Sequence, residues 1–115
     1  MLFRSPWRSV YKLHLYSDTE ISFVLTSGGH NAGIVSEPGH PHRSYQLLRR
    51  AAEGGYATPD EYLARAPHTE GSWWPAFAAW LANHSGPARK PPSLGASGAG
   101  YAPLGDAPGT YVLQR

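Results

Sequence analysis

At 115 residues and 12.5 kDa the chain has room for one small domain with a single core, which excludes most multidomain enzymes. An apolar share of 41% allows it to fold, while 11 Pro and 13 Gly predict long irregular stretches between short elements. A formal charge of +2, with 16% charged residues, is too weak to indicate nucleic acid or a membrane surface, and the lack of any cysteine excludes disulfides, thiolate metal sites and a cysteine nucleophile within these residues.

The first residues, from Met1 to Trp7, lack the apolar core of a secretion signal, and no window approaches the roughly 18 apolar residues of a membrane span. The expectation is a soluble, cytoplasmic chain. Over residues 6–16, Trp7, Val10, Tyr11, Leu13, Leu15 and Tyr16 fall mostly at helical spacing, and Pro6 suits a first helical turn, predicting a short amphipathic helix. Residues 21–26 are rich in β-branched and aromatic side chains and predict a strand. Ile21, Phe23 and Leu25 form its inward set, and Val24 makes the other face apolar as well, the pattern of a strand covered on both sides in a largely parallel sheet. The glycine-rich run Ser27-Gly28-Gly29-His30-Asn31-Ala32-Gly33 predicts a tight loop that carries His30 off the strand end. Residues 34–42, with Pro38, Gly39 and Pro41, read as loop; residues 44–49 fit a strand or the start of a helix, a choice that periodicity does not settle, with strand preferred.

Thr58-Pro59-Asp60-Glu61 has the hydroxyl, the proline and the glutamate of a capping box and starts a helix through about Ala66. A second helix is predicted from Ser72 to near Asn83, with Trp73, Trp74, Phe77, Trp80 and Leu81 on a wide apolar stripe facing the sheet. Residues 85–115 are dominated by Pro, Gly, Ala and Ser, with periodicity only at Thr110-Tyr111-Val112-Leu113, read as a short terminal strand.

Three groups of residues can carry chemistry. His30, on a glycine loop at the end of a buried strand, has the ordinary imidazole pKa of about 6.5 that suits a general base, and loops of this kind hold the histidine of nucleophile–acid–His triads; the plain alternative is a loop histidine bonded to backbone or water. His30, His40 and His42 lie close in sequence, but Pro38 and Pro41 and the absence of metal-binding spacing favour solvated rings, so neither a metal nor a cofactor is expected. The tryptophans at 73, 74 and 80 can stack on a ligand ring, yet their helical spacing favours burial in the core.

Residues 26–35, Thr-Ser-Gly-Gly-His-Asn-Ala-Gly-Ile-Val, resemble the C-terminal region of polyhydroxyalkanoate (poly-β-hydroxybutyrate) synthases. In the same order, Pro6-Trp7-Arg8-Ser9-Val10-Tyr11-Lys12-Leu13 is similar to the helix after their catalytic-acid loop. Gly71-Ser72-Trp73-Trp74-Pro75 with Trp80-Leu81 is similar to their tryptophan motif, and Ala107-Pro108-Gly109-Thr110-Tyr111-Val112 to their chain end. The resemblance implies an α/β fold, the incomplete C-terminal portion of an α/β-hydrolase with few strands, two to three helices and a long irregular tail. Residues 1–84 would be the catalytic-domain segment carrying the His loop, and residues 85–115 the irregular tail of the same domain. It also implies an acyltransferase that polymerises (R)-3-hydroxyacyl-CoA into polyester with release of CoA, with His30 as the base that deprotonates a cysteine.

Two departures accompany the resemblance. The cysteine is absent, and the family pattern Asp-His-x-x-Pro-Trp, set on Pro6-Trp7, puts Leu2 where the acid belongs and Phe3 beside it. The expectation is a fragment whose first five residues are unrelated to the parent pattern, inactive alone, with an unfinished sheet that leaves a sticky edge. Its partners by resemblance are acyl-CoA, the polyester chain and the remainder of a synthase or a synthase dimer, with no nucleic acid and no membrane span. The competing readings are a non-catalytic fragment docking on a synthase or a polyester granule, and a piece of another α/β-hydrolase of thioesterase or lipase type, which leaves the tryptophan and terminal motifs unaccounted for.

Overall fold

A computed structural model describes residues 6–29 and 31–114. The chain divides into two compact units, Met1–Ser85 and Gly86–Arg115. In the first, the predicted N-terminal helix forms as two abutting pieces, α1 (Trp7–Tyr11) and α2 (Leu13–Tyr16), joined through Lys12, which itself keeps helical φ and ψ. Trp7, Tyr11 and His14 recur at i, i+4 and i+7 on the face turned to the sheet, and the aliphatic residues Val10, Leu13 and Leu15 are left exposed.

The sheet has three strands in the order β1 (Ile21–Thr26), β2 (Ser44–Arg50) and β3 (His68–Glu70). Every pairing is antiparallel: Ile21 faces Arg50, Phe23 faces Leu48, Thr26 faces Tyr45, and β3 adds Tyr45 opposite Thr69. The largely parallel sheet expected from β1 is therefore not what forms. A parallel connection needs a crossover packed across the sheet; residues 27–43 instead make a tight loop and the single turn α3 (Ala32–Val35), and the chain returns beside the strand it left. The strand at 44–49 forms as read, while β3 was not anticipated.

One face of the sheet carries the core. Tyr11, Tyr62 and Ala66 are buried, with Trp7, Phe23, Leu25 and Leu48 packed against them. The rings meet edge to face, Tyr11 on Phe23 at 5.0 Å and Phe23 on Tyr62 at 5.3 Å between centroids, the geometry that aromatic quadrupoles favour. Tyr62 and Ala66 come from α4 (Pro59–Arg65) and its C-cap, and the helix begins on the full capping box: Thr58 Oγ1 accepts the Glu61 amide and the Glu61 carboxylate accepts the Thr58 amide. At its far end Gln46 of β2 donates to the carbonyls of Leu63 and Ala66 at 3.1 and 2.9 Å, satisfying acceptors that a helix terminus leaves open.

The last helix, α5 (Trp74–Asn83), forms close to where it was expected but buries no residue. Its tryptophans, expected in the core, are half exposed, Trp74 at 39% and Trp80 at 41%. The aromatic side chains pack along the helix on one another: Trp73 on Phe77, Phe77 on Trp80, and Trp80 on the His84 ring at 4.2 Å. Periodicity places an apolar stripe on a helix without saying what lies opposite it. Among the described residues the helix count also exceeds the two to three expected, because the N-terminal helix is split and α3 adds a turn.

In the second unit Ala96 and Tyr101 form an isolated antiparallel bridge around a 3-10 turn, Ser97–Ala99. The terminal Tyr111–Leu113 is a 3-10 turn and not the strand read from its sequence; the Leu113 amide bonds locally to the Thr110 carbonyl at 3.0 Å. No helix of the described residues is long and apolar enough to cross a membrane.

Candidate functional site

The loop singled out in the sequence runs from the end of β1 to α3. His30 itself lies outside the described residues; the chain before it is bonded at Ser27 and the chain after it at Asn31. On the strand side Ser27 is tied twice to β2: its amide donates to the Ser44 carbonyl and its hydroxyl accepts the Ser44 amide, both at 2.8 Å. Gly28 then turns the chain at φ +119°, a conformation that side chains resist. The loop closes on Gly33, where a Cβ would collide with the Ser27 carbonyl and the Thr26 side chain, so the two limbs approach as closely as a glycine allows.

On the other side the Asn31 carbonyl accepts the amides of Ile34 and Val35 at 3.0 and 3.1 Å and opens α3. Five side chains then converge on this single turn. The Ser36 hydroxyl donates to the Ala32 carbonyl and accepts Arg43 Nε at 2.7 Å. The buried Ser72 hydroxyl donates to the Ser36 carbonyl at 2.6 Å, and the indole N–H groups of Trp73 and Trp74 both donate to the Ile34 carbonyl, at 2.9 and 2.8 Å. Gly71, at φ +100°, donates its amide to the Arg43 carbonyl at 2.6 Å and brings the start of α5 beside the loop. The sequence reading set the tryptophan motif apart from the His loop; the fold joins them. Ser36 and Arg43 were not singled out, and Ser72 was read only as the helix start and as part of the tryptophan motif.

The electrostatics of the site are mild. Glu37 has its carboxyl below the ordinary range, held there first by its own backbone amide and then by His40, whose Nδ1 lies 3.2 Å from it. His42 follows at φ +55° in the same exposed loop. Among the described residues no group of three metal-binding side chains comes together. Residues 27–36 bring hydroxyls and amides to the loop but no carboxylate and no thiol, so these groups can hold and orient a base but cannot complete a nucleophilic triad.

No family model matches the chain. Curated proteins do match it, over 96% of its length. It is 41% identical to a poly(3-hydroxyalkanoate) polymerase 2 of Ectopseudomonas oleovorans, 36% identical to a poly(3-hydroxyalkanoate) polymerase subunit PhaC of Rhizobium etli and 35% identical to the corresponding subunit of Cupriavidus necator. The chain spans 19%, 16% and 18% of those three proteins, so each relative has most of its length outside the match. Nearly every residue of the loop, the tryptophan motif and the core helices lies inside the aligned region, so the chain is homologous to poly(3-hydroxyalkanoate) polymerases over a stretch equal to less than a fifth of their length.

Proposed function

We propose that this chain is the C-terminal segment of a polyester-forming acyltransferase and supplies its general base. Residues 1–84 serve as the part of an α/β-hydrolase catalytic domain that carries the His loop, and residues 85–115 as its irregular tail. His30 takes the proton of a cysteine thiol held by the rest of the enzyme. The thiolate attacks the thioester carbonyl of an (R)-3-hydroxyacyl-CoA, the C–S bond to CoA breaks, and the proton returns to the departing CoA thiol. The working compartment is the cytoplasm, at the surface of the growing polyester granule. What carries this reading is the match to polymerases over 96% of the chain, with the anchored loop of residues 27–36 inside it.

The test is a graft in which residues 6–115 replace the matched stretch of the Cupriavidus necator polymerase, which keeps its own upstream residues. The graft is expected to release CoA from 3-hydroxybutyryl-CoA, and His30→Gln to lower that rate roughly 10²–10⁴-fold, the usual weight of a positioned base. An inactive graft, or one indifferent to the substitution, would overturn the proposal. The 115 residues by themselves, which contain no cysteine, are expected to release none.

A second reading, a non-catalytic piece that docks on a synthase or on polyester, is favoured by the half-exposed aromatic face of α5. It predicts granule co-sedimentation that survives His30→Gln and is lost with Trp80→Glu.

A further inference from the structure

The bonds around α3 are unusual in their direction. A helix of four residues is below the length at which a helix holds itself, and its last carbonyls have no acceptor role inside it. Here those carbonyls are met by side chains from elsewhere. The Ile34 carbonyl, with its two lone pairs, accepts two indole N–H groups at once, and the Ser36 carbonyl accepts the Ser72 hydroxyl, which in turn accepts the Trp74 amide at 3.2 Å. Three consecutive residues at the start of α5 thus hold one turn nearly forty residues away in sequence, with |i−j| of 36 to 40. The other limb of the loop is fixed to β2 through Ser27, and Gly33 closes the two limbs on each other. Position 30 stands one residue before Asn31, whose carbonyl starts the clamped turn.

We propose that Ser72, Trp73 and Trp74 are positioning residues for the His loop: they clamp the α3 turn and so fix the limb of the loop that leads to position 30. The motif is then a brace for the base, and the indoles serve through their N–H groups as much as through their rings. The functional meaning of this rests on the reading of His30 as a general base, but its test requires no turnover.

The experiment uses the whole chain labelled at histidine, with the His30 ring Cε1–H resonance assigned by its loss in His30→Gln. Two variants release the clamp: Ser72→Ala, and Trp73→Phe combined with Trp74→Phe, which keeps aromatic bulk and removes both donors. Ser72→Thr restores the hydroxyl. In both releasing variants the Ile34 and Val35 amides are expected to exchange roughly tenfold faster, while the Ala66 amide at the C-cap of α4 keeps its protection. The His30 resonance is expected to leave its wild-type position and move toward that of free histidine, and to return in Ser72→Thr. Faster exchange at Ile34 with an unmoved His30 resonance, or a His30 resonance already at the free-histidine position in the unaltered chain, overturns the positioning role. Should Ser72→Ala lose Ala66 protection as well, the paired indole variant is the one to read. An inactive graft beside a resonance that does respond counts against the base and not against the clamp.

Discussion

Tyr62, only 1% exposed, donates its hydroxyl to the Gln46 carbonyl at 2.9 Å and lies 3.3 Å from the Phe23 carbonyl, so one phenol joins α4 to both β1 and β2. Burial pushes its pKa up to about 12, with a smaller push from the nearby Tyr11 phenol and a bond at Leu25 acting the other way. The folded chain therefore holds this proton more tightly than the unfolded chain, whose tyrosine titrates near 10. The resulting stabilisation is intact below about pH 10 and is lost as pH rises toward about 12. Urea unfolding across that range should show the midpoint falling, and Tyr62→Phe should flatten the fall while costing about 1–2 kcal/mol at neutral pH. A midpoint indifferent to alkali in the unaltered chain would remove the claim. Phe23 and Leu25 were legible as inward residues because a strand alternates with a period of two. Tyr62 was not, since nothing local marks which residue after a capping box will meet a sheet whose partner strand lies elsewhere in the chain.

Among the elements, α4 was the most legible, because its boundary is written in four adjacent residues and needs no tertiary partner to form. Thr58→Ala removes the acceptor for the Glu61 amide and should cost about 1 kcal/mol of stability, read from denaturant midpoints. The Glu61 carboxyl is held below the ordinary range by the Thr58 amide and then by the Thr58 side chain, so its contribution is present above the usual carboxylate pKa and fades as pH falls through the lowered one. By contrast β3 is three exposed residues, His68, Thr69 and Glu70, too few to show alternation and too polar to announce burial. It exists because β2 offers it an edge. The direction of β2 was equally beyond local reading: the same apolar pattern in β1 serves a parallel or an antiparallel neighbour, and the choice lay in how residues 27–43 turn.

At the scale of the molecule, the first unit puts its apolar material in two places. The core beneath α1, α2 and α4 is covered, whereas Trp74, Trp80 and Leu81 on α5 remain 39–43% exposed, and beside Trp74 and Pro75 a shallow apolar groove is lined by Val35, Pro38 and Ala78. Exposed clustered apolar surface of this kind binds hydrophobic dyes in a folded protein. The chain is expected to enhance 1-anilinonaphthalene-8-sulfonate fluorescence under native conditions, and Trp80→Glu to lower that signal severalfold without changing the urea midpoint; a dye response untouched by the substitution would place the exposed surface elsewhere. The site followed the same division. The His loop and the tryptophan motif were each visible as short runs of sequence, but their union through one carbonyl of α3 depends on Gly71 and Arg43 meeting across the sheet end, which no local pattern encodes. That union also gives the molecule an optical gauge of its own. Two indoles whose centroids stand 5.4 Å apart, tilted by 39° and bonded to the same oxygen, have coupled electronic transitions and should give a paired positive and negative band in ultraviolet circular dichroism, a signal that fades when the rings drift apart. The state of the loop that carries the proposed base could then be followed by light alone, in real time, as a substrate or a completing protein is added.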